Sequence, residues 1–155
     1  MKTTAKRISL VLAASLAAGT AFAASHAMEQ QKAREDLMKV MGQNLGVLGK
    51  MAKGEMDFDA TAAGEAATAL HDAAVKVTVD EMWDEGTDHM AVDDGRAMPE
   101  IWENYDDFKA KGAALVAAAE GAKTAAGESL QALQASMGVM GGACGDCHKA
   151  YRLPE

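Results

Sequence analysis

The chain is poor in everything that builds a sheet, a disulfide scaffold or a membrane bundle. Only 5% of its 155 residues are aromatic, two are proline and two are cysteine. A core short of aromatic and β-branched residues, and rich in alanine, leucine and methionine, argues against strands and for helices. So few prolines leave long stretches without a helix breaker. Two cysteines close at most one bridge, which excludes a disulfide framework. Positive charge is also in deficit: 15 Lys and Arg against 23 Asp and Glu give a net charge of −8. Such a chain is a poor candidate for binding nucleic acid. Its length suits one domain with one core.

One uncharged apolar run exists, Ile8 to Ala18, and it is too short to cross a bilayer. Lys2, Lys6 and Arg7 precede it, and "AFA" at 21–23 follows as a small-x-small cleavage site, with "SHA" at 25–27 as a weaker one. This order reads as a secretory leader over 1–23, the alternative being a single anchoring helix. The mature domain, 24–155, then begins near Ala24 or Met28 and has no membrane span. Loss of 1–23 removes three positive charges and no negative ones, leaving −11. That charge predicts partners with a basic patch, bound more weakly at high salt. Export also implies an oxidising compartment, where free thiols pair or become capped.

Apolar periodicity predicts four helices. The first covers about Met28 to Ala52, with Met38, Met41, Leu45 and Leu48 on one face and Gly54 as a stop. The second runs from an Asp59 cap to about Val79, with Ala63, Ala66, Leu70, Ala74 and Val77 inward. A long aperiodic link, Asp80 to Met98, reads as functional or as a crossover lying across a bundle. Pro99 suits a helix start. The third helix is expected over about Pro99 to Ala119, with Ile101, Tyr105, Phe108, Gly112 and Leu115 on its seam. The fourth is expected over about Lys123 to Arg152. Its seam is Leu130, Leu133, Met137, Met140, Cys144, Cys147 and Tyr151, alternately three and four apart as in an antiparallel four-helix bundle.

Both cysteines lie on that last seam, in "CGDCH" at 144–148. Cys-x-x-Cys-His is the c-type haem attachment pattern. Thiols at i and i+3 face one side of a helix and can add to the two vinyl groups of one porphyrin. The next residue, His148, then offers its imidazole to the iron. The competing readings are a thioredoxin-type dithiol, which lacks a surrounding βαβ pattern, and a zinc site. The zinc site would need His71 and His89, which have no paired spacing.

With these residues the chain resembles the class II c-type cytochromes, the cytochrome c-prime family. "CGDCHKAYR" resembles the family's attachment segment, "PEIW" at 99–102 the start of its third helix, and "AKGE" at 52–55 the end of its first. The resemblance spans nearly all of the mature chain. It implies an exported all-α bundle, one covalent haem c, and His148 as the fifth iron ligand. It also implies pairing of two copies through the first two helices as a possible assembly. "REDLMKVMGQNLGVLGKMAKGE" aligns with the family's first helix and sets Met38 at the distal position. That resembles the six-coordinate, low-spin branch that carries electrons. An apolar residue there would imply the five-coordinate branch that binds nitric oxide and carbon monoxide. Met41, one turn on, is the other methionine to weigh, and core filling is the plain role for both.

Arg34 and Arg152 are implied as partners of the haem propionates. Lys149 is expected at the exposed haem edge, Trp83 and Trp102 in bundle packing, and Tyr151 against the haem. His71 and His89 are expected to be ordinary surface or core histidines, and Asp93 and Asp94 a solvated turn. No separate catalytic constellation is present, so the expected role is a periplasmic electron carrier and not an enzyme.

Overall fold

The computed structural model describes residues 5–154, with side chains from Ala24 onward. It is an all-α, antiparallel four-helix bundle. The four long helices are α1 (Ala5–Lys53), α2 (Ala60–Val77), α4 (Tyr105–Glu128) and α5 (Leu130–Tyr151), with a single-turn α3 (Glu100–Glu103) before α4. Among the described residues the only β feature is one isolated bridge, Ala97 to Arg152. No helix among them is long and apolar enough to cross a membrane.

The expected ends of α1 and α2 rest on local chemistry. Gly54 adopts φ +76°, open to a residue without Cβ. Its N–H reaches Met51 O at 3.1 Å, and Glu55 N–H reaches Lys50 O at 2.9 Å, a Schellman closure. Asp59 accepts from Ala62 N–H at 2.7 Å and caps α2. The five small and aliphatic positions expected inward on α2 are all buried. Small residues let α2 and α4 approach closely: a Cβ on Gly112 would stand 3.2 Å from Thr78 Cγ2.

Three boundaries differ from the expectation. α1 is continuous through Met28; the candidate leader, 1–23, lies outside the residues whose side chains are described. The helix begun at Pro99 stops after one turn, because Asn104 leaves helical geometry at φ −127°, ψ 45°. The third long helix then runs on to Glu128, and the fourth begins at Leu130 instead of Lys123. Gly121 does not break α4, since a helix absorbs one glycine at about 1 kcal/mol. Buried Ala118, Ala119, Ala122, Ala125 and Ala126 carry one face past it. The break falls at Ser129, extended at φ −168°, whose hydroxyl accepts from Ala132 N–H at 3.2 Å.

The link 80–98 crosses one end of the bundle and is tied at both ends. Trp83, Thr87 and Val92 are buried in it. Arg34 of α1 donates to Met82 O (3.0 Å), Thr87 Oγ1 (2.8 Å) and Thr87 O (2.7 Å). Its guanidinium stands 4.6 Å from the Trp83 ring centroid. At the far end Met98 N–H donates to Tyr151 O, and Leu153 N–H to Arg96 O. Asp93 and Asp94 form the exposed turn expected of them. Trp102 holds the link through Nε1–H to Trp83 O at 2.8 Å.

Arg34→Leu would leave buried carbonyls without their donors. We expect a loss of about 2–4 kcal/mol in denaturant unfolding. A loss below 1 kcal/mol would mean that the link is held without it.

Candidate functional site

The long helices pack α1 on α2, α2 on α4 and α4 on α5, but α1 and α5 meet over a far shorter length. The reason lies in the seams. Leu48 and Met51 on α1, and Leu133 on α5, are fully buried at one end of the bundle. Towards the link, Met38 and Leu45 on α1 and Cys144 and Cys147 on α5 are only half-buried. Between these half-open stretches lies a cavity of about 540 Å³, a volume suited to a cofactor or small ligand.

The cavity brings together the residues that the sequence singled out. Cys144, Cys147 and His148 enter from α5, while Met38 and Met41 enter from α1. Met41 is almost fully buried, and Met38 is half-buried. A Cβ on Gly42, beside them, would meet nothing within 4 Å. The wall on the α4 side is aromatic. Phe108 meets Trp83 edge-on at 4.6 Å and Tyr151 edge-on at 5.4 Å, with Tyr105 stacked at 6.1 Å. Four of the chain's few aromatics thus line one cavity.

Burial pushes the Cys147 thiol up to about 11, against the pull of Lys111, and raises Cys144 for the same reason. Both thiols are therefore uncharged at neutral pH. Burial, then Arg152 and Arg96, hold the His148 imidazole below its ordinary value. It is neutral at neutral pH and keeps a lone pair for a metal. Two thiols, an imidazole and a thioether around an apolar, aromatic-walled space form a donor set suited to a covalently attached haem.

Both arginines expected near a charged edge line the cavity, but differently. Arg34 is buried with three hydrogen bonds to the link. Its burial lowers its pKa to about 10, with Asp84 opposing. Arg152 is exposed at the end of α5. Arg96, which sequence reasoning missed, joins it and donates to Leu153 O at 2.6 Å. No periodicity marks Arg96; the Ala97–Arg152 bridge brings it there. Lysine gathers there too: Lys39, Lys109 and Lys111 line the cavity, against Glu35 and Asp94 as the acids among the described lining residues. Lys149 is exposed as expected. His71 lies elsewhere, with Nε2 3.2 Å from Glu120 and Nδ1 3.4 Å from Asp72. His89 sits in the link, its backbone N–H on Ala97 O.

A family model described as Cytochrome C' matches residues 29–152. The chain belongs to the cytochrome c' family. Its relatives include cytochrome c-554 of Cereibacter sphaeroides, 41% identical over 122 residues and 79% of each chain. Among solved structures, cytochrome c' from Rhodobacter sphaeroides superposes with a TM-score of 0.77 at 33% identity, covering 83% of this chain and 98% of that one. A nitric oxide complex of a cytochrome c prime mutant from Alcaligenes xylosoxidans matches with a TM-score of 0.73 at 27% identity, over 83% and 97%. As a member of this family the chain is an electron-carrying haem protein with covalently bound haem c and its iron.

The attachment helix is braced at its last turn. The Tyr151 hydroxyl donates to Asp107 Oδ2 at 2.6 Å, and Lys111 Nζ stands 3.5 Å from the same oxygen. Burial, then Asp107, pushes the tyrosine up to about 12. The Tyr151 hydroxyl first, and then Lys111, hold the Asp107 carboxyl below its usual range. A carboxyl depressed in the folded state contributes stability above its unfolded pKa and loses it as pH falls through the folded value. Tyr151→Phe is therefore expected to move the acid-unfolding midpoint of the haem-loaded protein to higher pH, leaving neutral-pH spectra nearly unchanged. An unshifted acid limb would show that this bond does not brace the helix.

Proposed function

We propose that this cytochrome is a periplasmic electron carrier with one six-coordinate, low-spin haem, ligated by His148 and Met38. Residues 1–23 act as its export leader. The observation that carries this reading is the placement of Met38 on α1 across one cavity from Cys144, Cys147 and His148 on α5. The haem supplies a one-electron Fe(III)/Fe(II) couple. The chain's residues do the rest. Cys144 and Cys147 would hold the haem as thioethers, each thiol adding to one vinyl group with no atom left over. His148 would ligate the iron through its neutral imidazole, and Met38 through a soft thioether that would favour the ferrous state and raise the potential. The same two ligands in both states would keep reorganisation small. The aromatic wall would shield the group from water, while Arg152, with Arg34 deeper in, would balance the propionate charge. A redox partner with a basic patch fits the −11 charge of residues 24–155.

Ferric and ferrous absorption spectra test the reading directly. Low-spin spectra in both states at neutral pH, with slow or negligible carbon monoxide binding, are expected. A high-spin ferric spectrum would favour the second reading, a five-coordinate gas-binding cytochrome. The open space beside Gly42 and the nitric oxide complex of the Alcaligenes relative's mutant support that alternative.

A further inference from the structure

At the other end of the link lies a side-chain network that the haem site does not use. His26 Nε2 is 3.0 Å from Asp84 Oδ2. Gln30, itself buried, donates to the same carboxylate oxygen at 2.7 Å and to Glu81 O at 2.8 Å. It also accepts from Asp84 N–H at 3.2 Å. The carboxylate is thus held in place, and it engages the outer nitrogen of the ring. With Nε2–H donating to Asp84, the lone pair sits on Nδ1, the nitrogen nearer the backbone.

His26 is the third residue after the "AFA" cleavage site, in "ASHA". We infer that cleavage after Ala23 creates a binding site for one divalent copper or nickel ion at the mature amino terminus. Its donors are the Ala24 amine, the Ser25 and His26 amide nitrogens, and His26 Nδ1. This inference rests on the leader reading proposed above. The covalent spacing closes two five-membered chelate rings along the backbone and a six-membered ring through the histidine side chain. Four nitrogens in one plane are the geometry that Cu(II) and Ni(II) prefer.

The fold adds two features. In the uncut chain residues 25 and 26 lie inside α1, where their amides serve the helix. Cleavage before Ala24 puts both amides in the first turn of the mature helix. Second, Asp84 orients the imidazole as a carboxylate orients a metal-bound histidine, fixing its tautomer. Binding forms four metal–nitrogen bonds and releases to solvent the two amide protons, together with the proton that the Ala24 ammonium carries below about pH 8. The metal keeps its oxidation state.

The test uses exported, haem-loaded protein. Its mass first fixes the amino terminus, which we expect at Ala24. Cu(II), and separately Ni(II), are then titrated by calorimetry in buffers of different ionisation enthalpy, against a competing chelator. One equivalent bound is expected, with release of two protons above about pH 9, where the amine is already free, and of nearly three at neutral pH. Ser25→Pro, which lacks the amide hydrogen and suits the first turn of a helix, and His26→Ala should each abolish this binding. Asp84→Asn should weaken it about 10- to 100-fold. Haem spectra should stay unchanged throughout. A mature chain starting at any residue other than Ala24, or a Ser25→Pro variant binding as tightly as the parent, would overturn the inference. The first outcome also locates the failure in the leader reading, whereas the second leaves that reading intact.

Discussion

Met38→Ala is expected to convert a low-spin haem spectrum to a high-spin one and to open the ferrous iron to carbon monoxide. The argument rests on competition. An internal ligand that occupies its site 99% of the time holds the apparent affinity of an external ligand about 100-fold below its intrinsic value. Removing the thioether removes that competition, and the reduction potential should fall with it. Met38 is half-buried beside Gly42, whose missing side chain leaves open space, so alanine enlarges room that already exists. Met41→Ala provides the control. Met41 is almost fully buried, so its loss should lower stability while the spectrum stays low-spin. If Met41→Ala turns the protein high-spin and Met38→Ala does not, the ligand is Met41. If the parent protein is already high-spin, neither methionine ligates.

The double variant Cys144→Ser, Cys147→Ser, prepared without haem, is expected to lose its cooperative melt. Without haem the cavity of about 540 Å³ leaves the facing seams of α1 and α5 without packing partners, a large loss for a domain whose whole stability is ordinarily about 5–15 kcal/mol. Collapse of α1 onto α5 would recover part of it, yet the seams there hold mostly small or flexible residues. Alanine, the commonest buried type here, contributes little apolar area for each helix turn. The core therefore depends on the cofactor as a packing element. We expect near-native helix content with a broad, non-cooperative thermal transition. A haem-free melt as sharp and as high as that of the loaded protein would show that the bundle closes on its own.

Much of this was legible because helical periodicity and caps are local. The faces of α2 and α5, the Asp59 cap and the Gly54 stop all follow from spacings within one turn or two. The Ser129 break was missed because a run of small residues passes through Gly121 without a strong stop. Its signal was the serine before a leucine-rich turn, a cap whose weight depends on which helix face is buried. Arg34 is implied by the family resemblance as a propionate partner, and the structure adds a second role for it. Its three bonds into the link depend on Thr87 and Met82, far along the chain and in an aperiodic stretch.

The sequence by itself determined the fold class and the attachment chemistry. Cys144, Cys147 and His148 share one helix, so their spacing is their geometry. Only the tertiary structure brought Met38 to the opposite wall, assembled Trp83, Tyr105, Phe108 and Tyr151 into one surface, and gathered Arg96 and Arg152 at the same edge. Those residues come from separate helices and a crossover. Their proximity is set by long-range packing around the cavity, which no local period encodes.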